Sequence, residues 1–156
     1  MSDKTSEILE VPYHYIGDYL YTYGELSPFF REVMENKRLM ATRCTQCGTV
    51  WCPPRVDCSK CYGTTEWIPL SGKGTVIACT HVYYMPNSWE MLKWMDLPYV
   101  LAVIQMDGAD VGMLHTVITG EQQLGSVQAG TRVLVEFREE RNGTIIDYYF
   151  VPEKAG

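Results

Sequence analysis

Two C-x-x-C pairs, Cys44-Thr45-Gln46-Cys47 and Cys58-Ser59-Lys60-Cys61, stand ten residues apart and constrain this chain more than any other feature. From Arg43 to Gly63 the sequence is cysteine and turn residues, with too little apolar periodicity to be held by a core of its own. Each pair can close into a tight knuckle whose backbone N–H groups face the thiolates. A glycine soon after the second cysteine (Gly48, Gly63) answers the positive φ such a turn tends to need. Four thiolates at this spacing suit tetrahedral zinc, and iron in a rubredoxin-like site would use the same ligands. The competing reading is disulfide chemistry, either a redox pair or structural bridges using all six cysteines. Without a thioredoxin-like βαβ pattern, C-x-x-C doublets read as metal ligands. A centre closed by four sulfurs leaves no position for water or substrate, so Cys44, Cys47, Cys58 and Cys61 are expected to hold structure rather than perform chemistry.

Around this ribbon the chain has three other regions. Residues 1–26 form an acidic, tyrosine-rich extension, with Tyr13, Tyr15, Tyr19, Tyr21 and Tyr23 around His14 and Gly17. Residues 27–40 carry a short helix: Ser27 offers an N-cap, Pro28 fits the first helical position, and Phe30, Val33, Met34 and Lys37 recur at helical spacing to an end near Asn36. The ribbon spans 41–70. Residues 71–156 read as strands: Thr75–Tyr84, Tyr99–Met106 and Val111–Ile118 about an Asp107-Gly108 turn, then Arg132–Arg138 and Thr144–Val151 about Asn142-Gly143. Val133, Val135 and Phe137 alternate with Arg132, Leu134, Glu136 and Arg138, as in a sheet with one buried face. Five strands, with the long connection of residues 119–130 between the third and fourth, predict a five-stranded Greek-key OB-fold barrel. The fold class is therefore mainly β, an N-terminal helix and rubredoxin-like ribbon followed by the barrel.

The remaining chemistry-bearing residues are sparse. Cys79 alternates within an apolar strand and is expected as a buried core thiol. Cys52 lies between Trp51 and Pro53, where exposure is not legible. His14, His81 and His115 have no spacing to one another or to a carboxylate that would make a triad. No paired acid and base, P-loop or dinucleotide fingerprint occurs.

In the order Phe29-Phe30, Lys37-Arg38-Leu39, Arg43-Cys44-x-x-Cys47-Gly48, Pro53-Pro54-Arg55, Cys58-x-x-Cys61, Gly72-Lys73-Gly74-Thr75-Val76 and Gly130-Thr131-Arg132-Val133, the chain resembles the acyl-CoA-associated family that joins a zinc ribbon to an OB fold. The resemblance covers residues 27–152. It implies a small subunit without catalytic residues of its own, bound to a thiolase-like large subunit in a hetero-oligomer. An acyl-CoA aldolase or hydratase is the alternative partner. Among such complexes it is similar in character to those of anaerobic aromatic degradation, benzoylsuccinyl-CoA thiolase among them, although no motif singles that one out. The resemblance also implies structural zinc, and coenzyme A or acyl-CoA shared with the partner. The basic segment from Arg31 to Lys60 is then where CoA phosphates would lie, with Lys37, Arg38, Arg43 and Arg55 toward phosphate and Trp51 as a stacking face for adenine. The loop from Met85 to Leu97 (Trp89, Met91, Leu92, Trp94, Met95) is too apolar to stand wholly in water and is expected against a partner, an acyl group or its own barrel.

Charge separates these readings. With 13 Lys plus Arg against 19 Asp plus Glu, the net charge of -6 opposes attraction to nucleic acid, leaving a single-stranded nucleic-acid module as the weaker alternative. MSDKTSEILE has no apolar signal core and no stretch approaches ~18 consecutive apolar residues, so a cytoplasmic protein without a membrane span is expected.

Overall fold

The computed structural model describes residues 12, 20–85, 97–119 and 124–153. Most of the tyrosine-rich extension, including Tyr13, His14, Tyr15 and Tyr19, lies outside the described residues, as does the interior of the 85–97 loop.

Helix α1 runs Ser27–Asn36 and buries Phe29 and Val33. It starts differently from the sequence expectation. A 3-10 turn, Gly24–Leu26, runs directly into it, so the Ser27 hydroxyl donates backward to the Gly24 carbonyl (2.6 Å) instead of capping the helix. Tyr23 stacks on Phe30, their ring centroids 3.7 Å apart, which fixes the entry of the chain. The helix ends at Lys37, whose left-handed φ of 48° turns the chain into the first strand.

Strands β1 (Met40–Cys44), β2 (Val50–Trp51) and β3 (Thr65–Pro69) make a three-stranded sheet in the order β2-β1-β3. Strands β4 (Lys73–Val82), β5 (Tyr99–Met106), β6 (Gly112–Val117), β7 (Arg132–Phe137) and β8 (Tyr148–Pro152) close a barrel in the order β4-β5-β6-β8-β7. Every barrel pairing is antiparallel except β6 with β8, which meet in parallel at Val117 and Phe150. Alternation along β5 puts Val100, Ala102, Ile104 and Met106 inside. Gly-x-Gly opens the barrel because both glycines are sterically required. Gly72 has φ +81°, and a Cβ on Gly74 would fall 2.9 Å from the Gln105 carbonyl oxygen.

The last expected strand is shorter than the sequence predicts. Residues 144–147 form a 3-10 turn with a capping box rather than the start of β8, and the buried Asp147 carboxylate is the reason. It accepts hydrogen bonds from the Asn142, Gly143 and Thr144 amides (2.9, 2.7 and 3.0 Å) and from the Thr144 hydroxyl (2.7 Å). That wraps the chain around one oxygen-rich centre that an extended strand could not satisfy. Cys79 is also less enclosed than expected. It is half-buried, its thiol donating to the Val127 carbonyl (3.4 Å).

His115 is a buried strand histidine. Its Nε2 pairs with the Ile145 carbonyl (3.1 Å), its Nδ1 accepts the Thr116 amide (2.9 Å), and its ring stacks on Tyr148 at 4.3 Å. Burial pulls its pKa down from the ordinary 6.5 to about 4. The ring is neutral in the fold but charges in the unfolded chain below pH 6.5. The unfolded state therefore binds more protons between pH 6.5 and 4, and stability falls as pH is lowered through that window. The expected loss attributable to this ring is about 3 kcal/mol. Denaturant unfolding of wild type and His115→Phe at a series of pH values checks it. The difference in slope between the two chains isolates the histidine from acid effects on the cysteines, and parallel slopes would refute the assignment.

Candidate metal centre

The four ribbon cysteines converge. Their Sγ atoms all lie within 4.8 Å of one another, with Cys44 to Cys61 at 3.4 Å and Cys47 to Cys58 at 3.5 Å. A tetrahedron built on Zn–S bonds of ~2.3 Å has edges of about 3.8 Å, so the quartet has the size a four-coordinate ion requires. Cys44 and Cys58 are buried, Cys61 is half-buried and Cys47 is exposed.

Local backbone geometry supplies the thiolates with donors. In the first knuckle the Gln46 and Cys47 amides point at Cys44 Sγ (3.4 and 3.5 Å), and the Gly48 amide closes the turn on the Cys44 carbonyl (3.1 Å). In the second the Tyr62 amide closes on the Cys58 carbonyl (2.8 Å). Gly48 does take the positive φ (74°), but in the second knuckle that conformation falls on Tyr62 (φ 59°), not Gly63. A non-glycine residue in that well costs about 1–2 kcal/mol, which the surrounding knuckle must offset. Gly63 lies close under the Gln46 side chain, which a Cβ there would meet at 2.7 Å and which would have to swing aside.

Electrostatics also fits a cation. The Thr49 hydroxyl, 3.4 Å from Cys47 Sγ, draws that thiol down to about 6. Burial opposes ionisation of Cys58, but the Lys60 and Cys61 amides and the Trp51 indole outweigh it and lower its pKa. Against the acidifying Gly63 amide, the neighbouring sulfurs, Cys44 foremost, push Cys61 up to about 12. Four negative sulfurs this close repel one another, and a divalent ion is what lets all four ionise. Among the described residues Trp51 Nε1 is buried with no nitrogen or oxygen acceptor and lies against Cys58, so a Cys58 thiolate is the acceptor that suits it.

The residues expected at CoA phosphates are not gathered together. Lys37 pairs with Glu139 (3.1 Å) and Arg38 with Glu32 (2.7 Å), both at the end of α1. Register places Thr42, Trp51 and Trp67 on one face of the ribbon sheet and Arg43, Val50 and Glu66 on the other. Arg43 therefore looks away from Arg55, which joins the first face. The Arg55 guanidinium lies 4.9 Å from the centre of the Trp51 ring and donates to Ser59 Oγ (2.9 Å). Trp51 itself is 7% exposed, so the flat surface offered outward is the guanidinium rather than the indole. Beside it runs a groove of about 490 Å³ between ribbon and barrel, walled by Pro53, Pro54, Arg55, Val56 and Asp57 on one side and Val111 and Gly112 on the other, with Leu26 at its edge. That volume is in the range of small-molecule sites. Cys52, whose exposure was not legible, is fully buried, donates toward Met113 Sδ (3.6 Å), and is pushed up to about 12 by burial, an inert thiol.

Fold and quartet together define a class, a rubredoxin-like metal ribbon joined to an OB barrel. Residues 36–67 match the family model of the ChsH2 rubredoxin-like zinc ribbon domain, and residues 67–138 that of the ChsH2 C-terminal OB-fold domain. A DUF35 domain-containing scaffold protein of Methanothermobacter thermautotrophicus is 30% identical over 128 residues, 78% of this chain and 90% of that protein. The chain belongs to the ChsH2/DUF35 family. A second protein of that name, from Methanocaldococcus jannaschii, is 39% identical over 80 residues, and the match spans half of this chain and 54% of that relative. Among solved structures, the Ltp2-ChsH2(DUF35) aldolase superposes with a TM-score of 0.62 at 18% identity, covering 85% of this chain and 98% of that one. A DUF35 protein of unknown function from Sulfolobus solfataricus gives 0.54 at 19%, covering 72% and 78%. At these identities the fold is what is shared. Among the described residues no helix is long and apolar enough to cross a membrane.

Proposed function

We propose that this chain is a zinc-binding, non-catalytic scaffold subunit of an acyl-CoA complex, docking a thiolase-like large subunit and lending it part of the CoA site. The observation that carries the reading is the closed four-sulfur centre, which has no open ligand position and sits beside a groove of small-ligand size. The relatives named scaffold proteins support it. Zinc is the ion we assign, because four thiolates with a tetrahedral fit and no need of redox change are its preferred structural set. An aldolase partner is the second reading, favoured by the aldolase complex that shares this fold. The partner supplies the nucleophile and the acid and base groups. This chain holds the nucleotide end, with the Arg55 guanidinium as the contact for phosphate or adenine at the groove mouth. Aromatic acyl-CoA, benzoylsuccinyl-CoA first, is the substrate class to test.

Affinity purification from native extract tests the assembly, and recovery of no thiolase-type or aldolase-type protein counts against it. On the assembled complex, Arg55→Glu is expected to weaken CoA binding about tenfold or more. Arg43→Glu, on the other face, reports whether the phosphates reach around that edge. Calorimetry showing unchanged affinity in both variants would remove the CoA assignment.

A further inference from the structure

Ribbon and barrel meet at the tip of the β5–β6 hairpin, and one residue there does more than fill space. We propose that Asp110 is a positioning residue that locks the first cysteine knuckle to the barrel, so that metal retention and groove shape depend on the same contact. Asp110 Oδ2 accepts the Val50 amide (2.8 Å), while its own amide donates to the Val50 carbonyl (3.0 Å). Both outward backbone groups of Val50 are thus satisfied by one residue sixty positions away, which acts as an extra strand on the open edge of two-residue β2. Val50 follows Thr49, whose carbonyl accepts the Cys44 amide (2.9 Å) and whose hydroxyl touches Cys47 Sγ (3.4 Å). Fixing Val50 therefore fixes both ligands of the first knuckle.

The next residue, Val111, packs against the cluster of Cys44, Trp51 and Cys58, so the hairpin roofs the sulfur quartet. Val111 and Gly112 also form the barrel wall of the groove, opposite Pro53 to Asp57. The tip is held before it meets the ribbon. Gln105 Nε2 donates to the Ala109 carbonyl, and the Ala109 amide donates to the Met106 carbonyl (3.0 Å). Losing the Asp110 carboxylate takes the side-chain partner from the amide of the buried Val50, at a partly buried edge, and frees the knuckle to open.

The inference rests on the quartet binding a metal. The full chain is loaded with zinc under reducing conditions and mixed with an excess of chromogenic chelator, and zinc release is followed in time. Asp110→Ala is expected to release zinc about tenfold faster than wild type, and Asp110→Asn, which keeps an acceptor oxygen, within about threefold of it. Asp147→Asn, which weakens the loop before β8 but not the ribbon, should leave release unchanged. Wild-type release from Asp110→Ala, or equal acceleration by Asp147→Asn, would overturn the proposal. Should Asp110→Ala fail to fold, amide exchange in the wild-type chain decides: Val50 N–H is expected to be protected with zinc and to exchange once zinc is removed, and free exchange with zinc present refutes the lock. A chain that takes up no zinc sinks the proposed function as well, whereas zinc uptake with an indifferent Asp110 removes this inference alone.

Discussion

Stripping the metal is expected to unfold the ribbon while the barrel strands keep most of their protection. Residues 44–63 contribute few apolar side chains to the shared core, and their buried cluster consists of Cys44, Trp51 and Cys58. Two knuckles and a short sheet cannot repay the entropy of ordering them by burial alone. Metal binding in small zinc modules is worth an apparent ~10–16 kcal/mol, larger than the remaining stability of this segment could be. The expected sequence on titration with a strong chelator is loss of amide protection across β1, β2 and the knuckles, then softening of the β5–β6 tip, with β4 and β7 last. Cys58→Ser should reproduce most of this without chelator, because Cys58 is fully buried and a neutral hydroxyl replaces one of the four thiolate ligands. A ribbon that stays protected after complete metal removal, measured by elemental analysis and hydrogen exchange on the same sample, would show that disulfides or packing hold it instead.

The second large effect is expected at Phe150. Its side chain is fully buried, its ring lies 5.6 Å from that of His115, and its backbone forms the one parallel bridge that closes the barrel, with the Ile118 amide donating to its carbonyl (2.8 Å). Phe150→Ala removes the ring, leaves a cavity at the narrowest seam, and is expected to cost about 3–5 kcal/mol. Phe150→Leu, which keeps most of the volume, should cost about 1 kcal/mol. Urea unfolding of the two variants checks the pair. Similar losses would mean that backbone pairing rather than ring packing secures the closure, and negligible losses would mean that the seam carries little of the stability.

Much of this architecture was legible because its signals are local. Helix α1 ends where Asn36 meets Lys37, β5 runs Tyr99–Met106 up to the Asp107-Gly108 turn that the sequence marks, and the four cysteines announce their convergence by spacing. What stayed hidden depends on contacts distant in sequence. Nothing around Asp110 distinguishes it from an ordinary turn aspartate, because its meaning lies in Val50. Asp147 reads as a strand residue until its four donors are seen to come from the loop before it. The basic segment looked like one surface in the linear sequence, yet strand register sends Arg43 and Arg55 to opposite faces and ion pairs occupy Lys37 and Arg38. Tyr62 was missed for another reason: a left-handed tyrosine runs against the usual preference for glycine, and only the adjacent Gly63 hinted at a constrained turn.

Helix α1 is tied to the far end of the chain, with Arg141 Nε donating to the Met34 carbonyl (2.9 Å), Lys37 paired with Glu139, and Gly143 approaching Met34. A ribosome delivers those partners about a hundred residues after the helix itself, so during translation the helix waits for contacts made only after the ribbon has emerged. The cysteine knuckles close over a short loop and can capture their ion as soon as they emerge, which makes the ribbon the natural starting point of assembly and the docking of the helix its final act.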